Sequence, residues 1–205
     1  MTVNIGKTEF NKSFPFIEWL AKLSALLTTL GKQKTILFLA SCCERQFGNY
    51  AQFHQETSWG DPQVLCDGIR SLRNYAPAVE VASIRQAIEI VTPNTEDFKS
   101  TYTSAALDAA TSLLESLDYC VDGDVSHCIQ VACLCRDSVY MFVQLRKGYD
   151  YSDVDEAKIY TDPLMERELQ AQQRDLEKIK SSNDLGSLVS SESHGCDPDG
   201  GSLPL

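Results

Sequence analysis

The chain has no glycine-rich phosphate loop and no nucleophile elbow, so two common signatures of nucleotide-binding and hydrolytic enzymes are missing. It shows no run of strict apolar–polar alternation beyond a few residues and no internal repeat, which removes the usual signals for strands and solenoids. Fully apolar runs such as Ile36 to Ala40 fall far short of the roughly 20 residues a membrane span needs. The opening MTVNIGKTEFNKSF carries no apolar core behind a basic start, so neither a signal peptide nor a membrane partner is expected, and the expected location is the cytoplasm. Positive charge is scarce as well. With 18 Lys and Arg against 29 Asp and Glu, the net charge of -11 and a pI near 4.7 argue against nucleic acid as the main partner.

What is present is helical periodicity. At 205 residues and 43% hydrophobic content, the chain suits one domain with one core. Phe16, Trp19, Leu20, Leu23, Leu26, Leu27 and Leu30 recur at three- and four-residue intervals and predict an amphipathic helix that stops near Gly31. The next helix, about 32–47, is apolar all round in its first half, as expected of a central element, and Gly48-Asn49 is expected to end it. A shorter helix over 49–57 then carries Tyr50, Phe53 and His54. Asp61-Pro62 and Asp162-Pro163 each combine an N-cap with proline at the first helical position.

Pro77 opens another helix, and TPNTEDF reads as a loop ending in a capping signal at Thr95 to Asp97. An alanine-faced helix over about 101–120 and a long one over 124–146 follow, then a short helix introduced by Ser152. The fold class is all-α: a single-domain bundle of about seven or eight helices over 13–182. Its last helix, 162–181, either packs on the bundle or projects as an arm. From Asn183 to Leu205 a Ser-, Gly- and Pro-rich acidic tail without Lys or Arg is expected to be disordered.

Eight cysteines raise the question of metal. At about 100° per residue, Cys133 and Cys135 fall on opposite faces of one helix and cannot share a tetrahedral ion. The expectation is reduced, core-filling thiols, with no metal and no cofactor. The candidate functional residues are Glu44, Arg45, Tyr50, His54 and Asp61. Glu44 ends a buried helix, where burial would raise its pKa, and His54 on the following shorter helix and Asp61 at the next cap are expected to join it in a polar pocket. His127 and His194 are read as a helix start and part of the tail.

The run ASCCERQFGNYAQFHQETSWGD resembles the signature of the bacterial YjaG-like family, domain-of-unknown-function family 416. The features that carry the resemblance are Cys43-Glu44-Arg45, Phe47, Asn49-Tyr50, Phe53 and Gly60-Asp61. Two more blocks agree: TPNTEDF with the alanine-rich helix carrying Asp108, and SDVDEAKIYTDPLMERELQAQQRDLE. The resemblance spans roughly residues 24–180 and implies an all-helical soluble protein without an established activity.

The leading functional expectation is therefore a non-catalytic protein-interaction module, with a homodimer through the last helix as one version. An immunity-like protein that occludes a basic toxin is another. The rival class is a small hydrolase or ligand-binding protein with a pocket around Glu44, His54 and Asp61.

Overall fold

The computed structural model describes residues 15–148, 156–182 and 184, and among them every regular element is a helix. The N-terminal stretch, the Ser152 start signal, His194 and, apart from Asp184, the acidic tail lie outside the described residues. The helices are α1 (Pro15–Leu30), α2 (Lys32–Thr57), α3 (Pro62–Arg73), α4 (Ala78–Ile90), α5 (Thr103–Asp122), α6 (Val125–Lys147), α7 (Glu156–Tyr160) and α8 (Pro163–Ser181).

The capping signals place the helix starts well. Asp61 Oδ1 accepts from the Gln63 amide at 2.9 Å, and Asp162 Oδ1 from that of Leu164 at 3.0 Å. Both carboxylates satisfy a backbone donor that the first turn leaves open. Thr95 to Asp97 do not cap α5. They form a separate turn, and Ser100 instead accepts from the Tyr102 amide at 3.0 Å, just before the helix.

Gly48-Asn49 does not end a helix. α2 runs unbroken for 26 residues, with Gly48 and Asn49 buried in its middle. A glycine inside a helix costs about 1 kcal/mol, less than the burial of Phe47, Tyr50 and Phe53 returns when the helix continues. The real stop is Ser58, at φ 56°, whose amide donates to the His54 carbonyl at 2.7 Å.

α2 is the central element: Thr35 through Cys43 are buried without interruption, and α1, α3, α5, α6 and α8 all pack on it. Its closest neighbour is α5, which presents Ala106, Ala109, Ala110, Leu113 and Leu117. Small side chains at that seam let the two axes approach closely. A polar chain runs inside it: Gln46 Nε2 donates to Ser112 Oγ at 2.8 Å and to Cys135 Sγ at 2.9 Å, and Ser116 Oγ lies 3.4 Å from Cys43 Sγ.

α8 packs on the bundle, with Met165, Leu169, Leu176 and Ile179 buried. Gln172, which breaks its apolar seam in sequence, is fully buried and accepts from Trp19 Nε1 at 2.8 Å while donating to the Ala132 carbonyl at 3.2 Å. α6 is long and apolar enough to cross a membrane by length and composition alone; here 44% of its apolar window is buried within the protein.

Candidate functional site

Glu44 and Arg45 are successive residues about 100° apart around α2, so they face different neighbours. Glu44 meets Arg73 of α3 through both carboxylate oxygens, and Arg73 is only 5% exposed. Arg45 forks onto Glu168 of α8, with Nε and one terminal nitrogen 3.0 and 3.1 Å from its two oxygens. It also pairs with Asp175 and donates to the Ser41 carbonyl at 3.2 Å. Burial acts to lower the Arg45 pKa, but the facing Glu168 carboxylate carries it well above its ordinary value. These pairs clamp α3 and α8 to α2. A carboxylate held bidentate by a guanidinium is stabilised in its charged form and is a poor proton donor.

At the other end of α2, Tyr50 donates to the Val91 carbonyl, and its hydroxyl also meets the Asp61 backbone amide. Burial pushes the Tyr50 phenol up to about 12. Gly60, at φ +78°, sits against that hydroxyl so closely that a Cβ would lie 2.3 Å from it. His54 Nδ1 lies 3.0 Å from the Trp59 carbonyl. Phe53, Trp59 and Phe98 stack with centroids 5.0–6.0 Å apart and close the corner. Glu44 and His54, ten residues apart on one straight helix, are separated by roughly 15 Å. The structure thus groups Tyr50, His54 and Asp61 at one corner and sets Glu44 and Arg45 elsewhere, with Glu44 beyond hydrogen-bond reach of His54.

A mainly apolar concavity lies away from these residues, where no sequence pattern points. A cavity of about 320 Å³ opens between the start of α5 and the C-terminal half of α6, with Asn49 of α2 on its third side. Tyr102, Ala105, Met141, Phe142 and Leu145 make its walls predominantly apolar. Ser138 also lines it and donates to Asp108 Oδ2 at 2.8 Å. Asp108 is one turn beyond Ser104 and Ala105, and burial pushes its carboxyl up to about 6, against the Ser138 hydrogen bond and with help from nearby Asp137. Asn49 is 2% exposed, and its Nδ2 has no hydrogen-bond partner in the protein. The available signals were Asp108 within an alanine run and Asn49 on the buried side of α2; the void itself leaves no sequence pattern.

Among the described residues Cys42, Cys43, Cys66, Cys128 and Cys135 are buried in the core, and Cys120 and Cys133 are half-buried. Burial pushes Cys43 and Cys128 up to about 12, far from nucleophilic readiness at neutral pH. Among the described residues no group of three or more His, Cys, Asp or Glu is placed to hold a metal. His127, at the start of α6, bridges Glu115 at 2.6 Å and Asp122 at 3.1 Å, and the Glu115 hydrogen bond leads in raising its pKa.

Comparison with known proteins agrees with this architecture. The uncharacterized protein YjaG of Escherichia coli (strain K12) is 28% identical over an alignment of 170 positions that covers 75% of this chain and 85% of the relative. The uncharacterized YjaG of Salmonella typhimurium matches to the same extent. A crystal structure of a DUF416 family protein from Shewanella baltica OS155 superimposes with a TM-score of 0.69 at 23% identity, over 78% of this chain and 84% of that one, which shows a shared fold. The profile of the family described as "Protein of unknown function (DUF416)" matches residues 22–190, and the chain belongs to that family.

Proposed function

We propose that this protein is a non-catalytic, cytoplasmic binding module whose receptor is the cavity between α2, α5 and α6. The observation that carries the reading is the cavity itself: about 320 Å³, walled mainly by apolar side chains, with a few buried polar groups at one side. Sites of that make-up are the usual receptors for small molecules. Among the described residues, the carboxylates beside Glu44-Arg45 and two of the core thiols are already engaged or un-ionised, which supports the non-catalytic part. Glu44 and Glu168 are held by arginines, and the Cys43 and Cys128 thiols are far from ionising.

A protein partner is the second reading, favoured by Leu145, which is 55% exposed at the cavity mouth and would meet an inserted side chain first. The acidic surface supports partners other than nucleic acid or anionic membrane. A dimer through α8 has little support, because the apolar face of that helix is used within the bundle.

The methionines provide the test. Met141 lines the cavity, whereas Met165 is fully buried in the core. Methyl NMR of the full chain against a set of small uncharged molecules is expected to shift Met141 and leave Met165 in place. No movement of Met141 at millimolar concentrations, or equal movement of both methyls, would refute the cavity as receptor.

A further inference from the structure

What the α2–α5–α6 cavity would hold follows from what its lining leaves open, and this use of it rests on the binding-module reading above. At about 320 Å³ it has roughly twice the ~150 Å³ of an apolar cavity that takes up benzene, so about ten to twelve heavy atoms fit. Tyr102, Ala105, Met141, Phe142 and Leu145 surround that space with apolar surface, and two aromatic rings and a thioether among them suit an aromatic guest. The buried polar groups along the lining are already committed. Ser138 is 1% exposed; its hydroxyl donates to Asp108 Oδ2 at 2.8 Å, and Gln46 Oε1 lies 3.4 Å away. Asn49 is buried, and its Nδ2 has almost no accessible surface, so it offers nothing to the open space. Arg146 is held by Asp162 at 2.9 Å, with Lys147 beside the same carboxylate at 3.9 Å. Thr101 and Ser104 are exposed, so their hydroxyls are hydrated already and gain little from exchanging water for a ligand.

We infer that the cavity binds an uncharged, hydrocarbon-rich molecule, in the simplest case an aromatic ring with a short alkyl chain, held by apolar contact without a hydrogen bond from the buried lining. Its affinity then follows the apolar area removed from water. Charge is disfavoured, because an ion would lose its hydration against apolar walls without a free counter-charge to replace it. An anion would also approach the Asp108 carboxylate behind Ser138.

Probes of similar shape with different ends test this. n-Propylbenzene ends in a methyl group, 2-phenylethanol in a hydroxyl, 2-phenylethylammonium in a cation and phenylacetate in an anion. Each is titrated into the full chain at neutral pH while the Met141 and Met165 methyls are followed by NMR. n-Propylbenzene is expected to bind tightest, with a Kd on the order of 0.1 mM, as befits about nine heavy atoms. Shortening its chain stepwise to toluene should weaken binding about fourfold per methylene. 2-Phenylethanol should bind at least about fourfold more weakly than n-propylbenzene. Its hydroxyl either enters without a partner or stays in water and forfeits the contact of a methyl group. The two ions should bind more weakly still. Ala105→Phe, which fills the space, should abolish all binding; if that variant does not fold, Ser104→Trp, at an exposed position on the same wall, serves instead.

Equal or tighter binding of the alcohol, lost on filling the cavity, would overturn selection by apolar contact alone and leave the receptor reading standing. Tightest binding by either ion would overturn the preference for an uncharged guest, and an affinity indifferent to chain length would overturn apolar area as its source. No binding by any probe with Met141 unmoved, or binding that survives in the filled variant, would overturn this inference and the receptor reading together.

Discussion

Replacing Arg45 by alanine tests whether the Glu44-Arg45 motif is a clamp. The guanidinium holds Glu168 bidentate and reaches Asp175, and Glu168 is 8% exposed. Truncation leaves that carboxylate buried, with Gln172 Nε2 at 3.0 Å as its remaining hydrogen-bond donor. Breaking one side of a buried pair typically costs about 3–5 kcal/mol. A quarter of the Arg45 side chain remains exposed, so the lower end applies, at about 3 kcal/mol. With a urea slope near 2 kcal/mol/M for a domain of this size, the unfolding midpoint should fall by about 1.5 M. Glu168→Gln alone should cost less, because Arg45 keeps Asp175. In the double variant the two losses should fall short of additivity by about 2 kcal/mol. A loss below about 1 kcal/mol for Arg45→Ala, or strict additivity, would refute the clamp and return Arg45 to the list of functional candidates.

Three further outcomes follow from the same geometry. Asp108 sits near 6 in the folded chain, above its ordinary 3.8, so its contribution favours the fold at low pH and is lost as pH rises from about 4 through 6. Asp108→Asn keeps an acceptor for Ser138 and should gain on the wild type by about 2 kcal/mol between pH 4 and pH 7, a two-unit shift discounted for partial exposure; a pH-independent difference in urea midpoints would contradict this. Gly60→Ala should destabilise by about 2–3 kcal/mol, from the strained backbone and the contact with the Tyr50 hydroxyl, and less in a Tyr50→Phe background. Thermal melts of the four proteins check it, with equal penalties in both backgrounds as the adverse result. Brief alkylation of the folded protein at pH 8, read by mass spectrometry, should leave Cys43 and Cys128 unmodified; rapid labelling of either would show that its burial is overstated.

The helices were legible because their signals are local. Phe16 to Leu30 shows its period openly, and Asp61-Pro62 and Asp162-Pro163 cap where they should. Gly48-Asn49 misled because intrinsic propensity is a weak prior that burial on all sides can override. Of the candidate residues Tyr50 is buried, Glu44, Arg45 and His54 are half-buried and Asp61 is exposed, and what Glu44 and Arg45 do depends on partners far away in sequence. Glu44 answers to Arg73, 29 positions on, and Arg45 to Glu168, 123 positions on. No spacing rule reaches that far. The cavity was unreadable for a different reason. It is a gap left where α5 and α6 do not fill the space beside Asn49, and a gap has no residues of its own.

The reach of those partners bears on how the chain is made. Arg45 belongs to α2, yet its counter-charges, Glu168 and Asp175, sit on α8, more than a hundred residues later in synthesis. Trp19, in the first helix, likewise waits for Gln172. Until α8 is made, the nascent bundle therefore carries a guanidinium and an indole without these partners, and α8 arrives to complete two earlier helices at once. Closure waits for α8, and a stalled chain ending before Pro163 should remain open to protease where one that includes α8 is not.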